Sequence, residues 1–120
     1  MNAELEEKLV KEFPKMFPHK RGFGFECGDG WYDLIHTLCV TIQNRIDNNQ
    51  HLKIEQVVVA QVKEKFGGLR FYADGTDATI DGMIWFADEM SYHICEVCGA
   101  KGETNGTGWT RTTCEEHRRK

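Results

Sequence analysis

Apolar side chains recur every three or four residues in three segments of the chain, the spacing that places them on one face of an α-helix. The first segment covers residues 3–13 and is stopped by a proline. The second begins near Trp31, with Asp29 as a candidate N-cap, and extends to about residue 47. The third covers residues 80–94. The pattern therefore predicts three helices.

Residues 55–73 follow a different pattern, which is typical of a β-hairpin. Two runs rich in strand-forming residues flank Gly67 and Gly68. Glycine adopts the positive φ angles that a two-residue hairpin turn requires, so we expect the loop at this pair. Such a turn would set Lys65 directly opposite Arg70.

The two faces of this hairpin differ in character, because side chains alternate between the faces of a strand. One face is apolar, has Glu64 as its single charged member, and is predicted to be buried. Its apolar residues are Ala60, Val62, Phe66, Leu69, Phe71 and Ala73. The opposite face, which we call the basic face, consists of Gln61, Lys63, Lys65, Arg70 and Tyr72. Like charges opposite each other are destabilising, which leaves three alternatives: a bound anion, an internal acid such as Asp29 or Asp33, or plain solvation.

The chain from residue 95 onward carries cysteine and histidine in paired positions. Cys95 and Cys98 form a C-x2-C pair, and after fifteen residues Cys114 and His117 form a C-x2-H pair. Two such pairs supply the four sulfur and nitrogen ligands of a tetrahedral ion, so Zn²⁺ is the predicted cofactor. Four protein ligands favour a closed structural site over a catalytic one. His93 remains an alternative to His117, and another metal remains an alternative to zinc.

The order of segments around these ligands is a knuckle, a hairpin and a helix start, which resembles a treble-clef zinc finger. With the upstream segments it predicts an α+β fold, in which a small antiparallel sheet packs against helices. We expect two parts, an α+β core at residues 1–94 and a zinc module at residues 95–120.

Composition and charge narrow the classes of function. The chain has 120 residues and a formal net charge of −4, so no global positive field draws it to nucleic acid or to an anionic membrane. No apolar run approaches the roughly 18 residues of a membrane span, and the first residues lack the order of a signal peptide. We therefore expect a cytoplasmic protein with reduced thiols. No nucleophile, base and orienting group come together in the sequence, so no enzymatic activity is predicted.

Four motifs point to a known group of proteins. They are GDGWYDLI at 28–35, VKEKFGGLRFY at 62–72, IDGMI at 80–84, and CEVCGAKG with GWTRTTCEEH towards the end. With these motifs the chain resembles a family of small proteins found in tailed phages and prophages. The resemblance implies a phage accessory protein in the cytoplasm of a bacterial host, and it implies no particular substrate.

The leading hypothesis is a non-enzymatic binding protein that captures a phosphate-bearing small molecule on the basic face. Its charge would come from Lys63, Lys65 and Arg70. Tyr72 or Trp31 would supply a stacking surface. In a phage protein this activity would sequester a nucleotide signal of host defence. The alternative is a zinc-containing adaptor that binds a host protein or, less readily given the net charge, nucleic acid.

Overall fold

The computed structural model describes residues 1–18 and 24–118, which form three α-helices, a three-stranded sheet and a two-stranded sheet. The elements are α1 (Ala3–Glu12), β1 (Phe25–Glu26), α2 (Tyr32–Asn48), β2 (Val58–Lys65), β3 (Gly68–Asp74), α3 (Ala78–Ser91), β4 (Glu103–Asn105) and β5 (Arg111–Thr113). Short 3-10 turns at Asp29–Trp31 and Gln50–Leu52 flank α2. The predicted α+β class is confirmed. None of the helices in these two ranges is both long enough and apolar enough for a membrane crossing.

All three predicted helices are present, and side chains cap two of them. Asn2 accepts the N–H of Leu5 at 2.9 Å at the start of α1, and Asp77 accepts the N–H of Ile80 at 2.8 Å at the start of α3. The prediction that Asp29 caps α2 is wrong. Its carboxylate accepts the backbone and side-chain N–H groups of Asn2 at 2.7 and 3.0 Å, so it ties α1 to the start of α2.

The three-stranded sheet has the order β1-β2-β3, with β1 parallel to β2 and β3 antiparallel to it. The pattern predicted the antiparallel hairpin of β2 and β3, which is confirmed. The parallel strand β1 extends that sheet through Phe25, which pairs with Val62. A two-residue strand is too short for alternation to mark it in a sequence.

The hairpin turn lies one residue earlier than predicted, at Phe66-Gly67, whose φ angles are 54° and 84°. Lys65 is therefore not opposite Arg70, which pairs with Lys63 instead. Because the two-residue loop lies one position earlier, each residue of β2 near the turn pairs with a β3 residue two positions earlier than predicted. A shift by an even number of residues leaves each side chain on the predicted face of its strand. The predicted division into a basic face and an apolar face therefore holds, although the predicted residue pairs were wrong.

The second glycine of the pair serves packing and not the turn. A Cβ on Gly68 would lie 2.4 Å from the ring of Tyr92, so only glycine lets that ring approach the strand. The first turn position is instead Phe66, which adopts the left-handed backbone conformation although it carries a Cβ.

The core lies between the apolar face of the hairpin and the helices. Leu69 and Phe71 are buried there, as predicted. Phe66 was expected beside them but is 66% exposed, because it stands in the turn. Ala60 was also expected inside, and an irregularity of β2 after Val59 leaves it exposed.

The outer edge of β3 is covered by α3. The N–H of Leu69 donates to Oγ of Ser91 at 2.8 Å, and the N–H of Phe71 donates to the carboxylate of Asp88. At the opposite edge of the sheet, the N–H of Phe25 donates to a carboxylate oxygen of Glu6. Side chains thus satisfy backbone donors on both edge strands.

Candidate functional site

Three thiols and one imidazole from two segments of the chain converge near its end. They belong to Cys95, Cys98, Cys114 and His117. Their ligand atoms lie within 4.8 Å of one another, and the sulfurs of Cys98 and Cys114 are 3.7 Å apart. A tetrahedral zinc ion bound to sulfur at about 2.3 Å separates two sulfurs by about 3.8 Å. The four residues are therefore spaced as the ligands of one metal ion.

The imidazole of the cluster comes from His117 and not from the alternative, His93. Nδ1 of His117 lies 3.1 Å from Sγ of Cys114 and 3.8 Å from Sγ of Cys95. His93 is exposed and lies outside the cluster, and its carbonyl accepts the N–H of Gly102 at 2.9 Å. The two-residue spacing of the C-x2-H pair correctly indicated the histidine.

The first cysteine pair sits in a tight backbone turn. The carbonyl of Cys95 accepts the N–H of Gly99 at 2.9 Å, and the N–H of Cys95 donates to the carbonyl of Ala100 at 2.7 Å. Burial opposes ionisation of the Cys95 thiol, but backbone N–H groups, led by that of Cys114, outweigh this effect and lower its pKa to about 6. A thiol that ionises this readily is prepared for metal binding.

The second pair follows β5 and lies in a turn, in which the N–H of His117 donates to the carbonyl of Cys114 at 3.2 Å. The helix start expected here is wrong for the described residues, since the chain forms turns as far as Arg118. The predicted knuckle and hairpin of the module are present, the hairpin being β4 and β5.

Gly28 and Gly30 hold the cluster against the core, a role that the sequence pattern did not reveal. The N–H of Gly30 donates to the carbonyl of Glu96 at 2.7 Å, and the N–H of Gly28 donates to its carboxylate at 2.8 Å. A Cβ on Gly30 would lie 2.1 Å from the carbonyl oxygen of Cys95. Backbone packs on backbone here, and only glycine permits it. The G-x-G spacing before Trp31 was the available signal.

Trp31 was predicted to stack on a ligand, and this prediction is wrong. Its side chain is fully buried, and its Nε1–H donates to the carbonyl of Ile94 at 2.9 Å. Trp31 directly precedes α2 and continues the apolar face of that helix, which packs against the core. The indole therefore links the core to the segment that enters the cysteine cluster.

The basic face carries its own counter-charges. Lys63 lies between Arg70 on β3 and Glu26 on β1. The guanidinium of Arg70 donates to the hydroxyl of Tyr92 at 3.2 Å, and the Asp88 carboxylate is close enough for its charge to act on it. The internal acids beside these two cations are thus Glu26 and Asp88.

Asp88 is a half-buried acid at the edge of this face. Burial raises its pKa to about 7, against the opposing effect of Arg70. Its Oδ1 atom is buried with no hydrogen-bond partner within the described part of the chain. The carboxyl is therefore only partly ionised near neutral pH and compensates Arg70 incompletely.

A cleft of about 240 Å³ lies between the hairpin turn and the loop that joins β4 to β5, and we call it the tip cleft. Phe66 and Trp109 line it and are 66% and 76% exposed. The Lys65 ammonium lies 5.5 Å from the centroid of the Phe66 ring. The carboxylate of Glu64 accepts the N–H of Gly67 at 2.7 Å, so it is bound to the turn. Sequence reasoning missed both residues, since it assigned Phe66 to the core and gave Trp109 no role in binding.

Of the expected ligand-binding residues, four share the exposed face of the hairpin: Lys63, Lys65, Arg70 and Tyr72. No protein-family model, no curated protein and no solved structure matches the chain.

Proposed function

We propose that the protein is a non-enzymatic binding protein that takes a nucleotide at the tip cleft and the adjoining basic face. The observation that carries the proposal is the state of Phe66, whose ring is 66% exposed on a backbone with φ of 54°. The left-handed backbone costs folding free energy and the exposed ring regains little of it by burial, whereas asparagine at this turn position would avoid the strain. Strained, exposed aromatic residues of this kind are typical of binding sites.

The groups of the tip cleft suit the two chemical parts of a nucleotide. The rings of Phe66 and Trp109 offer π-faces to a base, and such stacking contributes about 1–3 kcal/mol per base. The ammonium of Lys65 offers a charge-assisted hydrogen bond to a phosphate. Lys65 forms no ion pair within 4.0 Å among the described residues. Arg70, whose neighbour Asp88 is only partly ionised, extends the positive surface along the strands.

We propose Zn²⁺ as the ion of the Cys₃His cluster. Four protein ligands make a closed site, so the ion would contribute folding free energy and would offer no open coordination position. The hairpin of the same module braces the binding surface, since Oγ1 of Thr112 donates to the carbonyl of Gly67 at 2.6 Å. Trp109 stands in the loop of that hairpin. The metal site would therefore fix one wall of the tip cleft.

For a phage accessory protein in a bacterial cytoplasm, the role that we propose is sequestration of a nucleotide signal of host defence. Sequestration needs affinity and no catalytic group. The remaining thiols suit that role, because burial raises the pKa of Cys27 and of Cys39 to about 12 and keeps both unreactive.

The test is thermal denaturation of the zinc-loaded full chain with adenosine monophosphate, ADP-ribose, a cyclic dinucleotide or a short single-stranded oligonucleotide. A nucleotide that binds should raise Tm in step with its concentration, as mass action requires. Phe66→Asn should abolish this shift and Lys65→Gln should reduce it. Lys53→Gln, which removes an exposed cation outside the hairpin, is the matched control.

Two results would contradict this assignment. One is a wild-type Tm that no nucleotide changes at any concentration. The other is an undiminished shift in a Phe66→Asn, Trp109→Ser double variant. A response to the oligonucleotide alone would favour the nucleic-acid adaptor instead.

A further inference from the structure

A second surface feature lies outside the hairpin and the cysteine cluster. It is an apolar groove of about 430 Å³ between α2 and α3, which we call the helix groove. Leu38 and Thr41 of α2 and Met83 and Phe86 of α3 contribute to its walls. The lining is almost entirely apolar and open to solvent, which is the character of a protein docking site.

Gly82 keeps the groove open. It stands in the interior of α3 and lines the groove, and a Cβ at this position would meet no atom within 4 Å. Glycine in a helix interior is less favourable than alanine by about 0.5–1 kcal/mol. Gly82 therefore lowers the stability of α3 at a position where any side chain would begin to fill the groove.

Two large aromatic side chains of α3 remain in contact with solvent. Trp85 is 69% exposed and Phe86 is 66% exposed, although Ile80 and Ala87 of the same helix are buried in the core. A helix that is apolar on several sides is normally covered by more than its own chain can supply. The exposed aromatic side chains are of the type that anchors protein interfaces.

The two helices that form the groove are acidic. Two carboxylates lie on α2 and three on α3, while the only lysine or arginine is Arg45. That guanidinium is engaged by Asp77, with Nη2 and Oδ2 at 2.9 Å. Apart from Asp88, which lies beside Arg70 of β3, the carboxylates of the two helices have no unpaired lysine or arginine on either helix.

The Arg45–Asp77 pair also shows which ends of the helices meet. It joins the last turn of α2 to the cap of α3, so the beginning of α2 lies near the end of α3. Asp33 and Glu89, which are both exposed, consequently mark the same end of the helix groove. The lining of the groove is thus apolar along its length, and Asp33 and Glu89 lie beyond this lining at one end.

We propose that the helix groove binds a basic amphipathic helix of a partner protein. Helix-in-groove recognition uses apolar anchors at helical spacing, which the surface around Gly82 and Phe86 would receive. The lysine or arginine residues of the partner would face Asp33 and Glu89. A second copy of α3 brings no cation of its own, and an anionic lipid surface repels the same carboxylates, so charge complementarity selects the basic helix.

Isothermal titration of the full chain with an amphipathic leucine/lysine helical peptide tests this proposal. A leucine/glutamate peptide of the same pattern is the charge control. We expect saturable binding of the basic peptide, weakening as salt screens the carboxylates, and no binding of the acidic peptide. The double variant Asp33→Asn, Glu89→Gln should bind the basic peptide about tenfold more weakly.

The decisive variant is Gly82→Leu. It places a side chain in the groove and improves helix propensity, so the protein should keep or raise its Tm and lose the peptide. Thr79→Leu, which adds the same side chain to an exposed position of α3 outside the groove, should bind normally.

Three results would overturn the proposal. They are a wild-type protein that does not bind the basic peptide, equal affinity for the two peptides, and full affinity in Gly82→Leu. A concentration-dependent dimer that Gly82→Leu abolishes in sedimentation would also overturn it, because the groove would then belong to a second copy of the chain.

Discussion

Replacing Phe66 with asparagine should make the protein more stable. The backbone at this position has φ of 54°, where an ordinary L-residue loses about 1–2 kcal/mol and asparagine is tolerated. Asparagine followed by glycine is also the preferred sequence of a type I′ hairpin turn. The substitution therefore removes strain from the turn without changing its register.

Some stabilisation is lost with the ring. The Lys65 ammonium lies 5.5 Å from its centroid, and a cation–π contact at an exposed site is worth about 0.5–1 kcal/mol. Since the ring is two-thirds exposed, it buries little further apolar surface. The balance favours Phe66→Asn by about 0.5–1 kcal/mol. For a chain of this length that corresponds to a rise in Tm of about 2–5 °C.

Urea denaturation of the zinc-loaded proteins measures this difference, provided that the m-value is unchanged. Phe66→Ala is the matched control, because it removes the same ring but leaves in the left-handed conformation a residue that lacks the tolerance of asparagine for it. We expect no gain from alanine. If asparagine destabilises the protein, or if alanine stabilises it equally, the reasoning about strain at the turn is refuted.

The other predictions concern the cysteine–histidine cluster, its attachment to the core, and Asp88. Cys98→Ser or a chelator should remove the metal and lower Tm for the whole chain, because the cluster is hydrogen-bonded to the core. Metal analysis and circular dichroism check this. An unchanged Tm after chelation would contradict it. Gly30→Ala should destabilise by about 3 kcal/mol or more in urea denaturation, since its Cβ would meet a carbonyl oxygen at 2.1 Å, while Gly24→Ala, with no atom within 4 Å, should not. The pKa of Asp88 is raised to about 7 in the folded protein, so its contribution to stability is present in acid and lost as the pH rises through about 7. Asp88→Asn should therefore raise the free energy of unfolding in alkaline solution, by about 1–2 kcal/mol after allowance for partial solvent screening, and should not do so in acid. An equal effect at both extremes of pH would show that packing and not charge is responsible.

Local patterns in the sequence were sufficient for the helices, the hairpin and the four cluster residues. Helical spacing and strand alternation reflect interactions within about two turns or one strand pair, which a single segment contains. The C-x2-C and C-x2-H pairs are local as well, because two ligands must reach one ion from a short turn. Cys95 and His117 could therefore be placed together before their contact was seen.

The remaining features depend on contacts between distant segments. Gly67 and Gly68 look alike in sequence, and only the ring of Tyr92 decides that the second is required for packing. Gly30 likewise acquires its role from the carbonyl of Cys95. Residues such as these satisfy tertiary constraints, and propensity alone cannot rank them.

The cover that α3 gives to β3 governs how the sheet meets other chains. An uncovered edge strand offers a row of backbone donors and acceptors on which a foreign strand can add, and this is the first step of many fibrils. Here Ser91 and Asp88 occupy donors of Leu69 and Phe71, so the edge is closed as long as α3 is docked. Partial detachment of that one helix would open it while the rest of the fold persists. Resistance to aggregation in this protein should therefore follow the local stability of α3 more closely than the global free energy of unfolding.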